Sequence, residues 1–196
     1  SIFLGYVRAD NSGPKNEPKY RLISPVEYQV IQRQDYDHGW VGVKVVASQV
    51  SLANKLLEYQ LDGGGKPNTW ISLKGDWKKD TLSSEIKVPA GGWYKLKIRA
   101  AENLAHHSAV VQFGVGEVFV VAGQSNSGNY GEKKQSTQTG LVSAFDFDNK
   151  KWQLAFDPQP GAGGRGGSIM PILGDGLAKH FKLPIGIIAF GQGGTS

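Results

Sequence analysis

The chain contains no cysteine and a single methionine in 196 residues. A disulfide framework and a thiolate zinc site are therefore excluded. The redox compartment stays open, because secreted proteins also dispense with cysteine. No apolar run reaches the roughly 18 residues of a membrane-spanning helix. No signal peptide is visible at Ser1, which a matured chain would equally show. Charge of one sign is not concentrated either. The net charge is +5 and the pI near 9.3, yet the pairs Lys78-Lys79, Lys133-Lys134 and Lys150-Lys151 are scattered. No block of five or six basic residues occurs, and none is interleaved with aromatics. The charge reads as solvated surface, and neither nucleic acid nor membrane is an expected partner.

Glycine is plentiful, at 27 residues. Hydrophobic residues make up 39% and charged residues 20%, which predicts a packed core. The length admits one full domain plus a partial one, or two small ones.

The chain changes character near residue 115. Residues 20–113 read as strands separated by turn signals. In "YKLKIRA", Tyr94, Leu96, Ile98 and Ala100 share one face, with Lys95, Lys97 and Arg99 on the other. "WVGVKVVAS" alternates in the same way, "DYDHG" reads as a turn, and "DGGGKPN" is a Gly- and Pro-rich connection. Short strands at this spacing predict an antiparallel β-sandwich. Beyond residue 115, "VFVVA" is an unalternating apolar run, as in a strand covered on both faces. A polar, Gly-rich segment runs from Ser125 to Gly167. Ser168 then reads as a helix N-cap. Ile169, Leu173, Leu177 and Phe181 recur every four residues and predict a helix with one buried stripe, closed by Pro184. "IGIIAF" is a second apolar strand. Strand, excursion, helix and strand spell a βαβ crossover with parallel strands.

Parallel strands open their following loops on the same sheet edge. Those loops are "GQSNSG" and "GQGGTS", and ligands of open α/β sheets sit outside the carboxyl ends of strands. Ser125 at such an end is a fixed hydroxyl, and the N–H of Gly194 can approach a bound carbonyl closely. Together they make half of an acyl-transfer site, which further needs a base, usually histidine, oriented by a carboxylate. Spacing alone favours a plain turn at Gly123–Asn126, because Gly, Ser and Asn are common turn residues. No histidine claims the role of base. His180 suits a helix C-terminus, His38 follows a turn, and His106 and His107 point to opposite faces of a strand, a poor metal pair.

"GVGEVFVVAGQSN" with the downstream "GGTS" resembles the sialate O-acetylesterase branch of the SGNH hydrolases. "GGSIMPILGDGLAKHFKLPIGIIAFGQGGTS" resembles the helix and strand leading to that family's second block. The resemblance covers residues 114–196 well and the preceding residues loosely. It implies a mixed fold: an antiparallel β-sandwich at residues 1–114, followed at 115–196 by the first part of an SGNH-type three-layer α/β hydrolase domain. It implies Ser125 as nucleophile, with the N–H groups of Ser125 and Gly194 in the oxyanion hole. Gln124 and Asn126, on either side of that serine, are candidate substrate contacts. The family's later blocks, which bring an Asn, an Asp and a His, have no counterpart here. The expected partners are therefore an acetylated carbohydrate and a second chain, or a missing C-terminal segment, supplying Asp and His. No metal or organic cofactor is implied. The family context suggests a secreted or periplasmic bacterial enzyme.

Two functions follow. One is a serine esterase that removes acetyl groups from a carbohydrate through an acyl-Ser125 intermediate. The other is a glycan- or protein-binding β-sandwich with an inactive or incomplete hydrolase-like segment. Trp40, Trp70, Trp77 and Trp93 all fall in the sandwich half, where burial is favoured over sugar stacking. "GAGGRG" fits a dinucleotide-binding string, but it follows "DPQP" rather than a strand and lacks the later acid; it reads as a loop beside the active-site edge. "DFDN" lacks the remaining positions of a calcium loop and reads as a turn.

Overall fold

Alternation along the strands decides which side chains meet. In β3 (His38–Ala47), Val41, Val43 and Val45 are buried while Gly42 and Lys44 are exposed. In β8 (Gly91–Ala100), Tyr94, Leu96, Ile98 and Ala100 are buried. These inward faces pack against each other, so two sheets must stack. The computed structural model describes residues 17–63 and 69–194. One sheet holds four strands in the order β1 (Tyr20–Ser24), β3, β7 (Thr81–Pro89) and β6 (Gly75–Lys78). Tyr20, Leu82, Ile86 and Val88 come from this sheet. They meet Leu57 of β4 (Leu57–Asp62), Leu73 of β5 (Trp70–Leu73) and Phe113 and Val115 of β9 (Val111–Gly123).

The second sheet has eight strands and does not end with the sandwich. Its path is β11 (Lys151–Leu154), β10 (Val142–Asp146), β12 (Ile185–Gly191), β9, β8, β4 and β5, with β2 (Gln29–Gln32) paired to β9. The 13 residues of β9 serve both halves. Its first part pairs antiparallel with β8 and parallel with β2. Its second part pairs parallel with β12, from Glu117↔Ile185 to Gly123↔Gly191. Residue 115 thus lies inside a continuous strand.

The expected sandwich followed by a three-layer α/β domain is not what the chain forms. Strands make up 51% of the structure, and the described residues contain one α-helix, α1 (Met170–Phe181). A three-layer fold needs helices on both faces of its sheet. Here α1 covers one face only, and the sheet is mixed, running directly into the antiparallel strands. Part of the segment read as a polar excursion is strand. β10 and β11 form a hairpin around "DFDN", where Asp146 accepts hydrogen bonds from the N–H groups of Asp148 and Asn149.

The helix also buries a different stripe from the expected one. Ile169, Leu173 and Phe181 are exposed and Leu177 is half-buried. The buried face is Met170, Pro171, Gly174, Asp175 and Ala178. Two residues set this rotation. Gly174 lies so close to Val142 that a Cβ would collide with it. Asp175 accepts hydrogen bonds from Thr137 Oγ1 (2.7 Å), Gln138 N–H (2.7 Å) and Thr139 N–H (3.1 Å) and Oγ1 (2.6 Å). A carboxylate so placed must face inward, and it ties α1 to the segment leading into β10. The cap position falls to Ile169, whose side chain makes no cap bond, and not to Ser168 as expected; Ser168, one residue earlier, accepts from Met170 N–H at 3.2 Å through its Oγ. The second core forms beneath the helix from Val142, Ala144, Met170, Ala178, Ile185, Ile187 and Ala189.

Burial works against ionisation of Asp175, but the four hydrogen bonds outweigh it and hold the carboxyl below its ordinary 3.8. A lowered folded-state value gives stability that is complete above the unfolded-state pKa and lost as pH falls through the folded one. Asp175→Ala strands the donors of residues 137–139 and is expected to cost about 2–4 kcal/mol at neutral pH. Urea unfolding against pH checks both points: the wild-type advantage should shrink below pH ~4, and an advantage constant to pH ~2 would refute the assignment.

Candidate active site

The site begins where β9 has to stop. Gly123 has φ +148°, a backbone region that side chains rarely enter, and a Cβ there would press on Ser127 Oγ. The chain turns at once. Gln124 C=O accepts from Ser127 N–H at 2.9 Å and from Ser127 Oγ at 2.7 Å, and Ser125 C=O accepts from Gly128 N–H at 3.0 Å. These bonds wind Ser125–Ser127 into a single tight helical turn on the strand end. The partner strand locks it from the side. Gln192 N–H donates to Gly123 C=O at 3.0 Å, and Gly191 lies against Ser127 C=O with no room for a side chain.

Ser125 and Asn126 are exposed and line a cavity of about 720 Å³. One wall is apolar, with Ile169, Ile172 and Leu173 at the start of α1; Tyr130 and Glu132 are also in contact with the cavity. No described residue hydrogen-bonds Ser125 Oγ. Gln124 and Gly194 stand at the same sheet edge but do not line this cavity. Both are exposed, and Gly194 has φ +77° in the turn that follows β12.

No histidine reaches Ser125. His180 sits in the last turn of α1, at the amino end of β12. The seven residues of β12 separate that end from the Ser125 edge by about 20 Å. His38 and His180 line a second cavity of about 790 Å³ with Arg33, Tyr36 and Phe181. His106 and His107 adjoin β8, where His107 bridges Arg99. Among the described residues no three His, Asp or Glu side chains cluster closely enough to hold a metal.

Two residues that shape the site are not evident in the sequence. Asn129 is buried. Its side-chain N–H groups donate to Gln159 C=O and Ala162 C=O, each at 3.0 Å, and its Oδ1 accepts from Gln159 N–H at 2.7 Å. Its backbone N–H donates to Gly163 C=O at 2.7 Å. "GAGGRG" is thus fastened to the Ser125 turn as a supporting loop rather than as a phosphate cradle. Asp157, also buried, accepts from Gln135 N–H and Ser168 N–H, both at 2.9 Å, and from Ser168 Oγ at 2.6 Å. It holds together two parts of the cavity wall, Gln135 and Ser168. Neither residue stands in a motif; only polarity within glycine-rich loops marks them.

The tryptophans are mostly engaged. Trp77 donates to Lys55 C=O and Trp93 to Gly140 C=O, while the Trp70 ring lies 4.0 Å from the Arg99 guanidinium. Trp40 is 42% exposed.

No family model matches the chain, and no curated protein matches it.

Asn129→Asp keeps the shape but replaces two donors by a carboxylate facing carbonyls. It is expected to cost about 2–4 kcal/mol and to speed amide exchange at residues 159–166. Unchanged exchange there would show that the loop is held by other bonds.

Proposed function

We propose that the chain carries the nucleophile of a serine esterase, with Ser125 attacking an acetyl ester of a carbohydrate. The observation that supports this most is the position of Ser125. It is an exposed hydroxyl at the carboxyl end of a strand parallel to its neighbour, opening into a cavity with one apolar wall. A tight turn of hydrogen bonds fixes the residue, so attack requires little reorganisation. The Ser125 N–H is on this reading an oxyanion donor. The Gly194 N–H, in the turn after β12 at the same sheet edge, is on this reading the second donor, with Gln124 and Asn126 orienting the sugar. The carbohydrate assignment rests on the resemblance of "GQSN" and "GGTS" to the sialate O-acetylesterases.

A serine needs a base, and none of the four histidines lines the cavity. The imidazole and its carboxylate therefore come, on this reading, from a second chain or from a further segment of the same protein. The same observation supports a second reading, in which the molecule binds glycans without turning them over. A cavity of about 440 Å³ beside Trp70, Lys97, Arg99 and His107 would then be a candidate binding site.

One comparison separates the two. Turnover of an activated acetyl ester by the protein with its native partners should fall at least about 10³-fold in Ser125→Ala. Equal turnover in both proteins would sink the esterase reading. Glycan binding unaffected by Ser125→Ala, without any turnover, would favour the second.

A further inference from the structure

Three glycine-rich stretches meet at one side chain. Gly128, Gly163 and Gly193 are glycines, yet none of them has a φ in the left-handed region that calls for one. Gly128, for instance, is extended at φ −110°. What excludes a side chain at each is close approach, and the neighbour common to all three is Tyr130. A Cβ on Gly193 would collide with the Tyr130 hydroxyl and lie 2.8 Å from Cζ. One on Gly128 would lie 2.9 Å from Cε2, and one on Gly163 would lie 3.3 Å from the hydroxyl. The ring is thus wedged between the turn that follows Ser125 and the turn that carries Gly194.

The stretches around the ring are held unequally. Gly128 N–H donates to Ser125 C=O, and Gly163 N–H donates to Gly191 C=O at 2.6 Å. Among the described residues no hydrogen bond reaches the peptide groups of Gly193 or Gly194. The root of the ring, in contrast, is fixed on both sides. Asn129 N–H donates to Gly163 C=O at 2.7 Å, and Gly131 exchanges two bonds with Gly167, at 2.9 and 2.7 Å. A ring with a fixed root therefore rests against a turn that no described backbone bond places.

We propose that Tyr130 is a positioning residue of this site: its ring is the spacer that sets where the Gly193–Gly194 turn stands relative to the Ser125 turn. The bearing of that spacing on turnover rests on the nucleophile reading of Ser125, in which the Ser125 and Gly194 N–H groups receive one oxyanion; the spacer itself does not. Donors on two separate loops serve one oxygen only while their separation holds. A displacement of about 1 Å can cost about 10²-fold in rate.

The spacer is read first without chemistry, by NMR relaxation of the backbone amides. In Tyr130→Ala the order parameters of Gly193 and Gly194 should fall from about 0.85 to below about 0.6, while those of Gly128 and Gly163 hold. Tyr130→Phe keeps the ring and should leave all of them unchanged. Should Tyr130→Ala fail to fold, Tyr130→Leu, which gives up the reach of the ring, replaces it. Activity is read with an activated acetyl ester on the full chain with its native partners. Tyr130→Ala should lower kcat about 10²-fold with KM nearly unchanged, and Tyr130→Phe should keep the wild-type rate. Gly193→Ala pushes against the ring and should be comparably harmful alone. It should add little to Tyr130→Ala, because effects of contacting residues are not additive. Rigid Gly193 and Gly194 in Tyr130→Ala overturn the proposal. So do additive effects at 130 and 193, or Tyr130→Phe as slow as Tyr130→Ala, which would give the role to the hydroxyl. A raised KM at constant kcat overturns it too, since that marks a surface that only binds substrate. If Ser125→Ala turns over the ester as fast as wild type, the nucleophile reading falls alone, and the relaxation measurement still decides the spacer.

Discussion

Contact between Pro184 and β9 is possible only because residues 114 and 116 have no side chains. A Cβ at Gly114 would strike the Pro184 ring, and one at Gly116 would strike the Pro184 carbonyl. The close approach starts β12 where β8 ends. It lets a single strand pass from antiparallel partners in the sandwich to a parallel partner in the second half. Arg33 and Gln32 secure the same point from the other side, each donating to the Glu117 carboxylate, at 2.6 and 2.7 Å. The register that follows, Glu117↔Ile185 to Gly123↔Gly191, is set at this junction. A slip of one residue would exchange the faces of Phe119 and Val121 with those of Val120 and Ala122. It would also break the match of Gly123 with Gly191 on which the Ser125 turn rests.

The geometry of the Ser125 turn is thereby inherited from the packing constraint at Gly114 and Gly116. Among the described residues nothing bonds the Ser125 hydroxyl. Its position comes from the strand, from the Gln124 carbonyl that closes the turn, and from the Gly191 backbone pressed against Ser127. The loops around it are built on different logic. Asn129 and Asp157 gather backbone groups that no strand or helix satisfies, as buried peptide groups require. The cavity wall thus depends on two polar side chains, the strand end on glycines.

What the sequence made legible follows local rules. Period-two alternation foretold the inward faces of β3 and β8. The short apolar runs 118–122 and 185–190 foretold a parallel pair and hence the shared edge of the two Gly-rich turns. "DYDHG" and "DFDN" were readable as turns, because Asp35 and Asp146 bond the N–H groups two and three residues on. The misreadings were non-local. Leu173 and Phe181 looked like core by spacing, yet Gly174 and Asp175 decide the helix rotation through contacts with residues 137–142. β10 and β11 were hidden because "LVSAFDFDN" is short and set among glycines. The three-layer fold was carried by resemblance and not by periodicity, and the described residues supply one α-helix where such a fold needs several.

The exposed apolar surface near Ser125 sets a lower limit on what could cover it. Burying Val120 and Phe190 fully is worth about 1.5–3 kcal/mol each, before any packing gain. Association costs roughly 4–15 kcal/mol in lost freedom. Hydrogen bonds exchanged with water along Val118–Ala122 add about 1 kcal/mol each at best. A contact confined to that stretch is therefore weak. The exposed Val120 and Phe190 on the open face, and Ile169, Ile172 and Leu173 at the cavity wall, are where burial of apolar surface would add most to such a contact.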